Sequence, residues 1–251
     1  MMQKMLVEEI TNKREAGAVA VTTTLGSDDK SPKVIIGGDF VDETVQSKEL
    51  HFPSTILESQ ISKNGESLIR ALDVVGSVTT LLVSLPAMIG VALLVKLSSS
   101  GRILYKQKRV GKNGRIFTLY KFRTMINNAE EHTGPVWATE NDSRVTPIGT
   151  FLRRTRLDEL PQLFNVLWGD MSLVGPRPER PYFVKRHKDL QGMRLAVKPG
   201  LTGLAQIRSY YNLKPGHKIK YDRLYIKKKS LLLNLFILSK TIPVIFTKKG
   251  W

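Results

Sequence analysis

Residues 74–95, from Val74 to Val95, carry no charged side chain. As a straight helix this run of 22 residues is about 33 Å long, enough to cross the hydrocarbon of a bilayer. An uncharged run of this length points to lipid rather than to a buried core. Pro86 divides it, because proline has no N–H to give and its ring collides with the carbonyl four residues back, that of Leu82. Residues 74–85 alone make about 18 Å of helix, too short to cross. The pattern therefore predicts either a kinked spanning helix or a broken helix that enters and leaves on one side. Thr79, Thr80 and Ser84 are placed to satisfy carbonyls freed at the break. Lys96 to Met125 holds nine basic residues and no acid, a block that stays on the cytoplasmic side. Lys63 and Arg70 make the other flank basic too, which favours the same-side arrangement.

A second apolar stretch, Ser230–Phe246, is edged by lysines and interrupted by Lys240 and Pro243. It reads as a helix in the interface plane or one packed on the core. Lys33–Phe40 reads as a strand and turn, and residues 102–125 as a hairpin around Gly111-Lys112-Asn113-Gly114. Residues 126–142 are polar, a loop or a short helix. Thr146-Pro147-Ile148-Gly149 leads into a helix carrying Phe151 and Leu152.

Charge divides the chain. Residues 1–64 hold 7 basic and 10 acidic side chains, a net of −3, so residues 65–251 carry +20 of the total +17. That shift suggests a boundary near Asn64-Gly65: an N-terminal extension over 1–64 and a second unit over 65–251, with its membrane helix at about 68–97. A field this positive draws nucleic acid, anionic lipid or phosphorylated substrates. No cysteine is present, which excludes disulfides and thiolate metal sites.

The candidate chemistry lies in Arg153-Arg154-Thr155-Arg156-Leu157-Asp158-Glu159-Leu160-Pro161, an adjacent carboxylate pair behind three arginines. Carboxylates among cations suit metal-assisted phosphate chemistry: arginines neutralise phosphate, and an acid serves as nucleophile or metal ligand. Pro161 is a good first helical residue, Gly169 a good stop, and Leu160, before proline, is pushed toward extended geometry. Asp158 and Glu159 then sit on the turn entering a helix, beside free backbone donors suited to anions. The alternative is that both acids only cap the helix and pair with Arg153, Arg154 or Arg156.

Further runs stand around this one: Lys106-Gln107-Lys108-Arg109-Val110-Gly111, Tyr120-Lys121-Phe122-Arg123-Thr124-Met125, Asp142-Ser143-Arg144-Val145-Thr146, Gly169-Asp170-Met171-Ser172-Leu173-Val174-Gly175-Pro176-Arg177-Pro178-Glu179 and Lys198-Pro199-Gly200-Leu201-Thr202-Gly203. In this order they closely resemble the bacterial sugar transferase family, the monotopic phosphoglycosyl transferases, over roughly residues 65–246. The resemblance implies a helix-rich α/β catalytic domain anchored by a proline-broken re-entrant helix at the cytoplasmic face of the bacterial inner membrane. It implies transfer of a sugar 1-phosphate from a nucleotide-sugar, usually a UDP-sugar, to undecaprenyl phosphate, as the first membrane step of a surface polysaccharide or glycan. Asp158 is then the nucleophile and Glu159 a Mg²⁺ ligand. Lys121, Arg123, Arg153 and Arg177 could bind the diphosphate or serve as surface or lipid-headgroup charge, and Asp222 could bind substrate, support the site or form a structural ion pair. Membrane lipid is an expected partner and nucleic acid is not; oligomeric state stays open. Two positions depart from the family: Leu85 rather than serine precedes the break proline, and Asn234 replaces an aspartate.

Overall fold

The computed structural model describes residues 63–131, 134–136, 142–208 and 215–246, all within the second of the chain's two units, Ser47–Trp251. The strand and turn expected over 33–40 lie outside these residues, and the expected boundary at Asn64-Gly65 falls at their edge.

The apolar run forms one long helix, α1 (Lys63–Ser98), which continues through Pro86. Ser84 Oγ donates, at 3.5 Å, to Leu81 O rather than to Leu82 O, the acceptor whose usual donor Pro86 lacks. Ile69, Asp73, Ser77, Val91 and Val95 are buried, and Leu81 and Met88 pack against the core between them. Their spacing of three and four residues puts them on one face. The other faces are apolar and open, with Leu82, Val83 and Leu97 at 69%, 77% and 83% exposure. Only 11% of its most apolar window is buried, the reverse of a soluble core helix, and by length and composition α1 is long enough to cross a membrane.

Both ends of α1 dock on the same body of residues. Near its start Asp73 accepts from Ser172 Oγ (2.9 Å) and Leu173 N (2.8 Å). One turn earlier, Arg70 donates to Val166 O and Leu167 O, each at 2.7 Å. Near its end Val91 and Val95 pack with Phe122 and Leu152.

The hairpin forms as its turn signal predicts. Strands β1 (Leu104–Val110) and β2 (Ile116–Phe122) pair antiparallel, Leu104 opposite Phe122 and Val110 opposite Ile116. Asn113 takes the left-handed conformation in the turn (φ 56°), which asparagine tolerates well. Alternation along β2 sends Phe117 and Leu119 into a core with Leu163, Val166, Met171, Leu173, Tyr225 and Ile237. Helix α2 (Pro147–Thr155) starts where expected, Thr146 accepting from Gly149 N at 2.9 Å. Helix α3 (Gln162–Trp168) ends at Gly169, whose φ of 90° lets its N–H turn back to Val166 O.

The remaining elements are β3 (Ser172–Val174), α4 (Pro181–Arg186), β4 (Gly200–Thr202), α5 (Leu204–Arg208), α6 (Pro215–Lys228) and α7 (Leu231–Phe246). Strands β3 and β4 pair in parallel. The described residues thus make a helix-rich unit with two small two-stranded sheets. Around residues 126–142 only turns and loop are described. Helix α7 packs one face on the core, with Ile237 and Asn234 buried, and leaves apolar Leu232 and Ile242 78% and 60% exposed on the other.

Two small residues set the exit from β3. Gly175 N donates to Thr202 O (2.8 Å), and Gly200 N to Pro176 O (2.9 Å). A Cβ on Gly200 would collide with the backbone of Gly175. This close approach aims the Gly175-Pro176-Arg177 turn back toward α3, which is how the parallel pair serves the site.

Candidate functional site

Asp158 and Glu159 lie in a single 3-10 turn, Leu157–Glu159, between α2 and α3. Arg156 ends α2 in the left-handed conformation, φ 59°, uncommon for a long side chain. That reversal swings the two carboxylates inward, and Asp158 is 6% exposed. Leu160 departs from the extended geometry expected before proline, with φ −52° and ψ −39°. Its N–H bonds to Leu157 O and its carbonyl accepts from Leu163 N, so hydrogen bonds on both sides outweigh the local steric bias. The turn uses one of the backbone donors expected to be free, since Glu159 N bonds to Arg156 O at 3.1 Å, and cationic side chains gather around it.

Those side chains converge from three places. Arg177 grips Glu159 with both nitrogens, at 2.5 and 3.3 Å, and Arg156 stands 3.9 Å from the same carboxylate. Lys121 on β2, Arg177 and Arg153 on α2 all bear electrostatically on Asp158. No hydrogen bond or ion pair engages the Asp158 carboxylate among the described residues. Burial, reinforced by the neighbouring Glu159 charge, pushes the Asp158 carboxyl up to about 6 against the pull of these cations. Burial pushes Glu159 the same way, but Arg177, Arg156 and Lys121 more than offset it and hold that carboxyl at about 2. Lys121 is lowered to about 8, first by burial and then by repulsion from Arg109, Arg153 and Arg177, with Asp158 opposing. The result is a poised carboxylate beside a permanently ionised one.

Of the expected site residues, Asp158, Glu159, Lys121, Arg153 and Arg177 come together. Arg153 Nε also donates to Thr124 Oγ1 (2.9 Å), which fixes its rotamer. Arg123 is elsewhere. Its guanidinium donates to Ser99 O and Ser100 O, both at 2.7 Å, and to Val95 O at 3.3 Å, so it caps the last turn of α1 instead of meeting a diphosphate. Substituting Arg123→Gln should lower stability by about 1.5–3 kcal/mol, the worth of charged hydrogen bonds, by loosening the α1 end. Thermal unfolding in neutral detergent measures this, and the pH dependence of turnover should not move.

Asp222 also lies apart from the carboxylates. It is buried and paired with Arg194 Nε at 2.9 Å, and Arg194 donates onward to Arg177 O. Three residues that sequence reasoning left without a role complete this support. Arg109 donates to Pro178 O (2.9 Å), Val110 N to Glu179 O (3.0 Å), and Arg109 stands 3.8 Å from the Glu179 carboxylate. The Arg177–Glu179 segment is thus stitched to the hairpin on one side and to Arg194–Asp222 on the other. Arg109 and Glu179 sit inside the motif runs, the one signal that could have found them; Arg194 sits in none.

The pair suits a hard divalent cation. Both ligand groups are carboxylates, Asp158 has no competing partner, and Glu159 Oε2 is held only loosely at 3.3 Å. Among the described residues no cluster of three or more acidic, histidine or cysteine side chains exists, so these two carboxylates are the groups that could hold a metal here. Beside the site, Trp168 is 63% exposed, stacked edge-on to Tyr120 at 5.6 Å, an arrangement typical of an interface anchor; Trp137 lies outside the described residues.

Known proteins match this chain over the region that holds the site. The model of the bacterial sugar transferase family matches residues 65–248. The chain is 43% identical over 187 residues to the UDP-N-acetylgalactosamine-undecaprenyl-phosphate N-acetylgalactosaminephosphotransferase of Aeromonas hydrophila, covering 72% of this chain and 44% of that one. It is 41% identical over 197 residues to the UDP-glucose:undecaprenyl-phosphate glucose-1-phosphate transferase of Klebsiella pneumoniae (74% and 42%). It is 36% identical over 195 residues to the exopolysaccharide production protein ExoY of Sinorhizobium fredii (72% and 86%). The matched region therefore spans less than half the length of the first two relatives.

Proposed function

Because the chain belongs to the bacterial sugar transferase family, we propose that it moves a sugar 1-phosphate from a UDP-sugar to undecaprenyl phosphate through a covalent phospho-aspartate on Asp158. One observation carries this reading. A buried carboxylate with no hydrogen-bond or ion-pair partner faces Lys121, Arg153 and Arg177 beside a second carboxylate already ionised. A carboxylate attacks phosphorus only when the phosphate's own charge is cancelled. Lys121, Arg153 and Arg177 provide that, Arg177 by a planar fork suited to phosphate oxygens.

In the first step an Asp158 oxygen bonds to the sugar-proximal phosphorus. The bond from that phosphorus to the bridging oxygen breaks, and UMP leaves with the electron pair. In the second, an oxygen of the lipid phosphate attacks the same phosphorus, the acyl phosphate bond breaks, and the Asp158 carboxylate returns. Glu159, with Asp158 beside it, would hold Mg²⁺, which supplies further charge neutralisation on the phosphate oxygens. Arg194 and Asp222 act as positioning residues by fixing the backbone that carries Arg177.

The docking of α1 supports the membrane part of the reading. A helix that left the catalytic unit to span a bilayer would not return a buried face to it at both Asp73 and Val95. A bend of α1 at Pro86, with entry and exit on the cytoplasmic face, would keep both docking ends at the headgroups and the exposed middle in lipid. There the active site meets a soluble donor and a lipid acceptor, and its product would begin a surface glycan.

The test is a panel of UDP-sugars assayed for UMP release with undecaprenyl phosphate in neutral detergent. One sugar should give UMP together with its lipid diphosphate product. No release from any of them would end the proposal. The pH profile is a second check. Asp158 must be ionised, so kcat/KM should rise through pH of about 6. Lys121 must be charged, so it should fall above about 8. A bell with these limbs is expected.

A further inference from the structure

A cavity of about 510 Å³ lies apart from Asp158, which does not line it. It lies at the start of α1, between the hairpin turn and the junction of α6 and α7, and four cations line it: Arg70, Lys112, Lys198 and Lys229. Glu66 and Asp73 are the acids present, and both are committed. Asp73 accepts from Ser172 and the Leu173 amide, and Glu66 pairs with Lys229 at 3.6 Å. Arg70 is held by the α3 carbonyls. The side-chain ammonium groups of Lys112 and Lys198 have no hydrogen bond or ion pair among the described residues, and both residues also line a second cavity of about 240 Å³ next to the first.

Four cations here face two acids, and an excess of one sign at close quarters is unfavourable. Burial and the facing Arg70, Lys112 and Lys229 lower the Lys198 ammonium from its ordinary value, with Asp73 opposing. An anion placed between Lys112 and Lys198 would relieve that repulsion and gain charge-assisted hydrogen bonds. The cavity is distinct from the carboxylate site. From Arg115, which lines the second cavity, to Lys121 is roughly 20 Å along β2, and the cavity residues gather at the Gly169 end of α3 rather than the Asp158 end.

We propose that this cavity is a second phosphate-binding site, holding its ligand between Lys112 and Lys198 with Arg70 and Lys229 behind. The chemistry is shared by a phosphodiester headgroup of an anionic phospholipid and by free phosphate. Leu68 and Val75, on the same turns of α1, are 56% and 64% exposed, so acyl chains would have an apolar surface beside the headgroup. Occupancy would tie the start of α1 to the bilayer surface independently of the reaction at Asp158.

The full chain in a neutral detergent tests this by lysine acylation with mass readout, site by site. Dioctanoyl phosphatidylglycerol should protect Lys112 and Lys198 at least about tenfold, the scale of one charged hydrogen bond, while dioctanoyl phosphatidylcholine gives weaker protection. Stronger protection by phosphatidylglycerol than by inorganic phosphate assigns the site to lipid. Equal protection by inorganic phosphate also supports the site and assigns it to a soluble phosphate. Unchanged labelling with every ligand overturns the proposal. The double variant Lys112→Gln/Lys198→Gln should bind phosphatidylglycerol vesicles no better than phosphatidylcholine vesicles while still releasing UMP. A retained preference for the anionic vesicles would likewise overturn it.

Discussion

Asp158→Asn should abolish UMP release, by at least about 10⁴-fold, the scale of losing a nucleophile, while the protein stays folded and membrane-bound. The amide keeps the size of the side chain and cannot form an acyl phosphate. Wild-type protein mixed with a UDP-sugar and no lipid acceptor should gain the mass of one sugar phosphate on the peptide holding Asp158, and the variant should gain none. Stability separates this from a folding defect. The folded carboxyl sits near 6, above its ordinary 3.8. Between those values the folded state binds more protons than the unfolded, so native stability falls as pH rises through this window. At pH 7.5 the buried charge is therefore a burden, and Asp158→Asn should unfold at an equal or higher temperature. The difference should vanish near pH 4. A variant that turns over normally would remove Asp158 from the mechanism.

Elements whose cause is local could be read from the sequence. The 22 uncharged residues of 74–95 gave α1, Gly111-Lys112-Asn113-Gly114 gave the hairpin, and Pro161 and Gly169 bracketed α3 to within a residue. The site was legible as far as its side chains sit in one run. Asp158 and Glu159 are adjacent, and the family's spacing brought in Lys121 and Arg177. What failed depended on distant partners. Arg123 looked like a phosphate ligand because it shares a motif run with Lys121. Residues two apart on a strand share a face, but β2 ends at Phe122, and past that end the Arg123 guanidinium turns to the carbonyls of Ser99 and Ser100. Leu160 obeyed the hydrogen bonds of a 3-10 turn rather than its proline neighbour. Asp222 and Arg194 lie 28 positions apart, and no local pattern announces their pairing.

That pairing shows how the charge of this chain is spent. Most arginines near the site are already occupied: Arg194 by Asp222, Arg180 by Glu130 at 2.7 Å, Arg144 by Asp142 at 2.6 Å. These pairs fix loops. Catalytic electrostatics falls to the few cations aimed at Asp158, and Glu159 decides how they are shared.

Glu159→Gln should lower kcat about 10²–10³-fold, the scale of removing one preorganised electrostatic partner, and should shift the acid limb of the pH profile. The direction follows from charge. Ionised Glu159 raises the Asp158 carboxyl by like-charge repulsion, so its removal lets Asp158 ionise more easily and moves that limb below about 6. Arg177→Gln should also slow the enzyme, yet move the limb the other way, because Arg177 lowers Asp158. Both variants weaken the same grip, in which Arg177 meets Glu159 at 2.5 Å. A purely structural role for the pair would slow turnover in each case and leave the limb in place. Opposite shifts in the UMP-release profile, measured from pH 5 to 9, are the signature of two charges acting on one nucleophile. Shifts in the same direction would mean that Asp158 is not the group whose ionisation sets the acid limb.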